Sequence, residues 1–110
     1  SNTISIVMGE DDRIFWYQVG VSDVTAADLK ETDYSATGIR ADINAKKLAA
    51  LDSSKFTIII KPTDKATFKN TVDILDEMEI TGNRLYAIVD LQPQEIAAYE
   101  EKIKTPKGGN

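Results

Sequence analysis

The 110-residue sequence contains no cysteine and no histidine. That double absence excludes thiol nucleophiles, disulfide frameworks and zinc-finger spacings, and removes the commonest acid–base side chain. Glycine and proline are sparse, at six and three, and no glycine-rich loop is present of the kind whose backbone amides close on a phosphate. No apolar run approaches the roughly 18 residues of a membrane-spanning helix, so these residues are expected to fold in water. A basic cluster is missing too. The net charge is −5, and residues 1–33 hold seven Asp/Glu against two Lys/Arg, whereas residues 34–110 hold eleven of each. Without a basic patch, neither phosphates nor anionic lipid have anything to bind, which sets nucleic acid and anionic membrane surfaces aside as partners.

What remains is a chain of one-domain size, long enough to bury roughly two-thirds of the surface its unfolded form exposes, with no need of a disulfide or metal. It is organised around Lys55–Asp90. Phe56–Ile60 is a near-continuous run of β-formers, as in a strand covered on both faces, and Pro62 ends it. The period then changes: Phe68, Val72, Leu75 and Met78 form a helical stripe with Lys69, Asn70, Asp73, Asp76 and Glu77 opposite, and Gly82-Asn83 closes the helix. Leu85, Ala87 and Val89 next alternate with Arg84, Tyr86 and Ile88, predicting a second strand. Strand, helix and strand make a βαβ unit with parallel strands.

Upstream, Thr3–Gly9 and Ile14–Val19 are predicted strands of a hairpin joined by Gly9–Arg13. Glu10, Asp11 and Asp12 lack the spaced ligands and loop glycine of a calcium loop and are expected to be a solvated turn. Trp16 and Tyr17 fall on opposite faces, so a one-sided sheet would bury at most one of them. Residues 20–34 are expected to be a long acidic loop with a turn at 26–29. A helix capped by Ser35 or Thr37 follows, with Ile39 and Ile43 inside. The phase of Leu48 and Leu51 differs, which predicts a break near Ala45. Pro93 opens a last amphipathic helix edged by Ile96, Tyr99 and Ile103. The expected fold is α+β: a two-layer domain over residues 3–104, whose hairpin and βαβ unit form a mixed sheet of about four strands, with helices mainly on one face. Ser1-Asn2 has the look of a processing scar, with native sequence expected upstream, and residues 105–110 of a flexible tail.

Lys61–Lys65 lies at the carboxyl end of a parallel strand, where open α/β sheets place ligands. Its Thr63 and Asp64, with Thr67, are also ordinary helix-start residues, and capping is the reading favoured over catalysis. No catalytic residue, cofactor or metal ligand is assigned.

Phe-Thr-Ile-Ile-Ile-Lys-Pro at 56–62, Asp64-Lys65, the aromatic Phe68, Val-Asp-Ile-Leu-Asp at 72–76 and Tyr-Ala-Ile-Val-Asp at 86–90 occur in fixed order. In this order the stretch resembles the carboxy-terminal, extracytoplasmic domain of the ExbD/TolR family of biopolymer-transport proteins. The resemblance implies a non-enzymatic periplasmic domain of an inner-membrane, single-pass protein, whose upstream membrane helix would carry the proton-handling aspartate. It implies a homodimer inside a pentamer of an ExbB/TolQ-type channel subunit, passing the energy of proton flow to a TonB- or TolA-type protein acting at the outer membrane. For the domain alone it implies dimerisation and capture of an extended partner segment by a sheet edge. The initial hairpin and the strand from Arg84 to Asp90 are the candidate edges, and Arg84, Tyr86 and Ile88 are the candidate binding residues. The rivals are an unrelated small α+β adaptor domain and a small enzyme using the acids near Asp64.

Overall fold

A computed structural model describes residues 2–108. Strands β1 (Thr3–Met8) and β2 (Ile14–Tyr17) form the antiparallel hairpin, and β3 (Lys30–Thr32) adds to β2. Strand β4 (Thr57–Pro62) runs parallel to β1, and β5 (Tyr86–Ile88) parallel to β4. The mixed sheet therefore has five strands, in the order β3-β2-β1-β4-β5, rather than about four. Helices α1 (Ile39–Ala49), α2 (Phe68–Ile80) and α3 (Pro93–Lys102) complete an α+β domain.

The two-residue period of the strands sorts their side chains into two cores. Ile4, Ile6, Met8, Ile14, Ile58 and Ile60 face Ile39 and Ile43 of α1 and Ile74 and Met78 of α2. On the other face, Val7, Phe15 and Tyr17 meet Ala98 and Tyr99 of α3 together with Val24 and Leu29. Each fully buried isoleucine contributes about 1.5–3 kcal/mol relative to exposure. Two helices thus lie on one face and α3 on the other, which makes a third layer beyond the two expected. This settles Trp16 and Tyr17: Tyr17 is buried beneath α3, while Trp16 packs against the first core with the Lys46 ammonium 5.1 Å from its ring centre.

Three local expectations are corrected. Strand β3 emerges from the predicted acidic loop, where a 3-10 turn spans Ala26–Asp28 and the segment is pinned by Val24 and Leu29 in the core. The first helix runs unbroken to Ala49; the phase slip leaves Leu48 solvent-exposed instead of ending the helix. In α2 the buried residues are Asn70, Ile74, Glu77 and Met78, and Phe68 at the start of the predicted stripe is 83% exposed. The reason is polar pairing: Asn70 closes a capping box with Thr67 and donates to Asp12 at 2.8 Å, and Glu77 takes both hydrogen bonds of Arg40 from α1. The helix is capped by Thr67, and Asp64 has no capping role.

The hairpin reverses tightly. Arg13 N–H donates to the Glu10 carbonyl at 2.9 Å, and Asp11 and Asp12 between them both have positive φ, the left-handed conformation that primed hairpin turns require. Beyond α3 the chain is tied back as far as Gly108. Arg13 donates to the carbonyls of Ile103, Thr105 and Pro106, and Gly108 N–H donates to Glu31. Ser1, Gly109 and Asn110, at the ends of the expected scar and tail, lie outside the described residues.

Candidate functional site

Strand β5 is one border of the sheet and, among the described residues, pairs only with β4. Ile58 N–H donates to the Leu85 carbonyl and Val89 N–H to the Ile60 carbonyl, both at 2.9 Å. Because backbone groups alternate along a parallel strand, residues 85, 87 and 89 turn theirs toward β4, and those of Arg84, Tyr86, Ile88 and Asp90 turn outward. The outward row is an open template for another strand.

Side chains make this border apolar on both faces. Paired with Ile58 and Ile60, Tyr86 and Ile88 project on the α1–α2 side, while Leu85, Ala87 and Val89 project on the α3 side. Leu85 is 47% exposed, Tyr86 43%, Ile88 48% and Val89 40%. The exposed apolar residues therefore form a contiguous strip along the border rather than single scattered side chains. The three residues singled out from the sequence are thus on one strand and its approach: Arg84 and Tyr86 line a shallow cleft with Leu75, Met78 and Asn83, and Ile88 lies beyond it. The sequence reading left out Leu85 and Val89, which flank the same border on the opposite face. Strict alternation of apolar residues on both faces was the available signal.

The opposite border is different. The hairpin named as the other candidate edge lies inside the sheet, since β3 covers β2. Strand β3 is short, and its Glu31 is held by Arg13 and by Gly108 N–H, so the carboxy-terminal segment runs beside it.

A second feature lies where β1 and β4 end. An open cleft of ≈ 600 Å³ is lined by Pro62, Leu91, Ile96, Tyr99 and Ile103, with Glu10, Thr63, Asp64, Lys65, Asp90 and Glu100 around them. Of the segment 61–65, residues 62–65 line it. Lys61 does not: it turns under α3, where it is buried against Glu95. The lining includes Tyr99, whose hydroxyl accepts from Glu10 N–H at 3.1 Å and whose ring meets Phe15 edge-on at 6.0 Å. Burial, partly offset by the Glu10 N–H bond, raises the Tyr99 hydroxyl pKa above its ordinary value. Gly9 permits this placement, because a Cβ there would stand 2.5 Å from the Tyr99 ring. Gly9→Ala is expected to destabilise the domain by about 1–3 kcal/mol through overpacking and to shift the Tyr99 ring resonances. An unchanged urea midpoint would show that the ring yields freely.

No family model, curated protein or solved structure matches the chain.

Proposed function

We propose that the domain is the periplasmic part of an ExbD/TolR-type protein, working without catalysis in proton-driven energy transduction, by pairing strands along β5. The observation that carries this reading is the open, apolar border from Arg84 to Asp90, with the outward backbone groups of Tyr86 and Ile88 at its centre. In the proposed complex the chain is anchored in the inner membrane by a helix upstream of residue 3 and held by an ExbB/TolQ-like channel subunit. The β5 border serves a second copy of the chain and, in exchange, an extended segment of a TonB- or TolA-like protein. Main-chain hydrogen bonds supply affinity and alternate side chains supply selectivity.

Self-pairing has a preferred register. The sequence from 84 to 90 reads Arg-Leu-Tyr-Ala-Ile-Val-Asp. Two copies aligned antiparallel about Ala87 place Arg84 opposite Asp90 of the other copy, Leu85 opposite Val89, and Tyr86 opposite Ile88. The outer pair is oppositely charged and the inner ones are aliphatic or aromatic with β-branched, each worth roughly 0.2–1 kcal/mol. The same register sets the outward groups of 86 and 88 against each other as a hydrogen-bonded pair. Ile88→Asp should then lower the sedimentation mass from twice the chain mass to the chain mass while circular dichroism is unchanged. Arg84→Asp should weaken the dimer, and Arg84→Asp combined with Asp90→Arg should restore it. A dimer indifferent to all three substitutions would refute the pairing, and a chain that is monomeric throughout would refute self-association.

A further inference from the structure

The cleft at the carboxyl ends of β1 and β4 adjoins the β5 border at Asp90 but has a chemistry of its own. Its lining combines apolar Leu91, Ile96, Tyr99 and Ile103 with the carboxylates of Glu10, Asp64, Asp90 and Glu100 and a single lysine, Lys65. None of these four carboxylates is in an ion pair among the described residues. The volume, ≈ 600 Å³, is within the range of sites that hold a ligand or an anchoring side chain.

Charge and shape together narrow the occupant. An anionic or phosphorylated ligand would be repelled by four unpaired carboxylates on a chain already carrying −5. A bare divalent ion needs several oxygen ligands converging on one point, and among the described residues no three acidic side chains are grouped in that way. Carboxylates combined with apolar side chains in one lining suit a large organic cation on an aliphatic stem. The stem of arginine or lysine lies along apolar surface while its head group stays at the polar rim.

We infer that this cleft receives an extended, basic segment of another protein. An aliphatic side chain of the segment packs on Leu91, Ile96 and Ile103, and a neighbouring arginine or lysine sits among Glu10, Asp64 and Glu100. Asp90 belongs to both surfaces: self-pairing along β5 engages it with Arg84 of a second copy, which leaves the other three carboxylates for the incoming cation. The cleft and the strand border can therefore be occupied together, and loss of one need not abolish the other.

The test is an amide-resolved NMR titration of the intact, 15N-labelled chain with an N-acetylated, amidated hexapeptide of alternating leucine and arginine. The comparators are the leucine–glutamate counterpart and spermidine. The leucine–arginine peptide is expected to shift the amides of Thr63, Asp64, Lys65, Leu91 and Ile96 saturably, and the glutamate peptide to leave them in place. Asp64→Asn with Glu100→Gln, both at exposed positions that keep Asp90 intact, should raise Kd about tenfold without changing the sedimentation mass. Several results would overturn the inference: no saturable shift at the cleft, equal binding of the glutamate peptide, or shifts spread equally over Asp73 and Asp76 of α2. Spermidine binding as tightly as the peptide would assign the cleft to polyamines instead. Cleft shifts that follow chain concentration without peptide would assign it to a second copy. The dimer is read separately by sedimentation, so failure of the cleft and failure of the β5 reading are distinct results.

Discussion

Arg13→Met is expected to destabilise the domain by about 3–5 kcal/mol, the range for removing one partner of a buried ion pair. Arg13 is 6% exposed and uses its whole guanidinium. Nε and Nη2 donate to the two Glu31 carboxylate oxygens, each at 2.9 Å, Nη1 donates to the Ile103 and Thr105 carbonyls at 3.3 and 3.0 Å, and Nη2 to the Pro106 carbonyl at 3.3 Å. The guanidinium carbon also lies 5.6 Å from the Phe15 ring centre, a cation–π contact. One residue thus joins the hairpin, β3 and the segment after α3. Lysine cannot reproduce the fork, so Arg13→Lys should lose most of the same stability. Removing both charges, as Arg13→Met with Glu31→Leu, should cost less than Arg13→Met alone, because no carboxylate is then left buried without its partner.

The same pair sets an acid limit. Burial, the largest influence on the Glu31 carboxyl, pushes its pKa up. The Arg13 hydrogen bond, the Gly108 N–H and the charges of Arg13 and Lys102 outweigh burial and hold it below the ordinary carboxylate value. A carboxyl depressed in the folded state adds stability above its unfolded pKa, about 4.3, and that stability is lost as pH falls through the folded value. Urea midpoints measured from pH 6 to pH 2 should fall more steeply for the parent chain than for Arg13→Met. Parallel curves, or a loss under about 0.5 kcal/mol at pH 7, the scale of an ordinary surface substitution, would show that Arg13 is not the tie.

Four of the five strands were legible because their patterns are decided locally. Ile4, Ile6 and Met8 alternate, Ile14–Tyr17 is aromatic and β-branched, and Phe56–Ile60 is apolar throughout. Strand β5 was legible as a strand and was one of two candidate edges; the strand order places it at the border, whereas the hairpin, the other candidate, lies inside because β3 covers β2. Strand β3 could not be read from Lys30-Glu31-Thr32, because its pairing depends on β2 and on Arg13, 18 residues away from Glu31. The face of α2 was misjudged for a related reason. Asn70 and Glu77 are polar, yet they are buried because Asp12 and Arg40 come to meet them, and Phe68 is displaced outward. The cleft was half legible. The end of a parallel strand marked residues 62–65, whereas Ile96, Tyr99 and Glu100 reach it only because α3 folds onto the opposite face of the sheet. A helix's choice of face is a tertiary decision, and nothing in its own periodicity records it.

That choice is fixed by the second large effect. Glu95→Leu is expected to cost about 3–5 kcal/mol, because it strands the Lys61 ammonium beneath α3. Glu95 is 1% exposed, and its Oε2 accepts from the Tyr17 hydroxyl and the Lys61 ammonium, while Oε1 accepts from Gln92 N–H at 2.7 Å in the capping box that starts α3. Strands β2 and β4 and helix α3 therefore meet on one carboxylate. A double substitution, Lys61→Met with Glu95→Leu, should recover much of the loss, since an apolar pair of similar volume is often as stable as a buried ion pair. Tyr17 adds a pH signature. Burial, then the Glu95 hydrogen bond, pushes its hydroxyl pKa well above the ordinary value near 10, and burial also raises Tyr34 and Tyr99. Between the unfolded and folded pKa values the folded chain holds protons that the unfolded chain has lost. Stability is fully present below pH 10 and falls above it, by about 1.4 kcal/mol per pH unit for each such tyrosine. Tyr17→Phe should remove one tyrosine's share of that alkaline slope, while costing stability at neutral pH because Glu95 loses a donor. An alkaline slope identical to the parent's, or a Glu95→Leu variant as stable as the parent, would remove this triad from the account of how α3 is held.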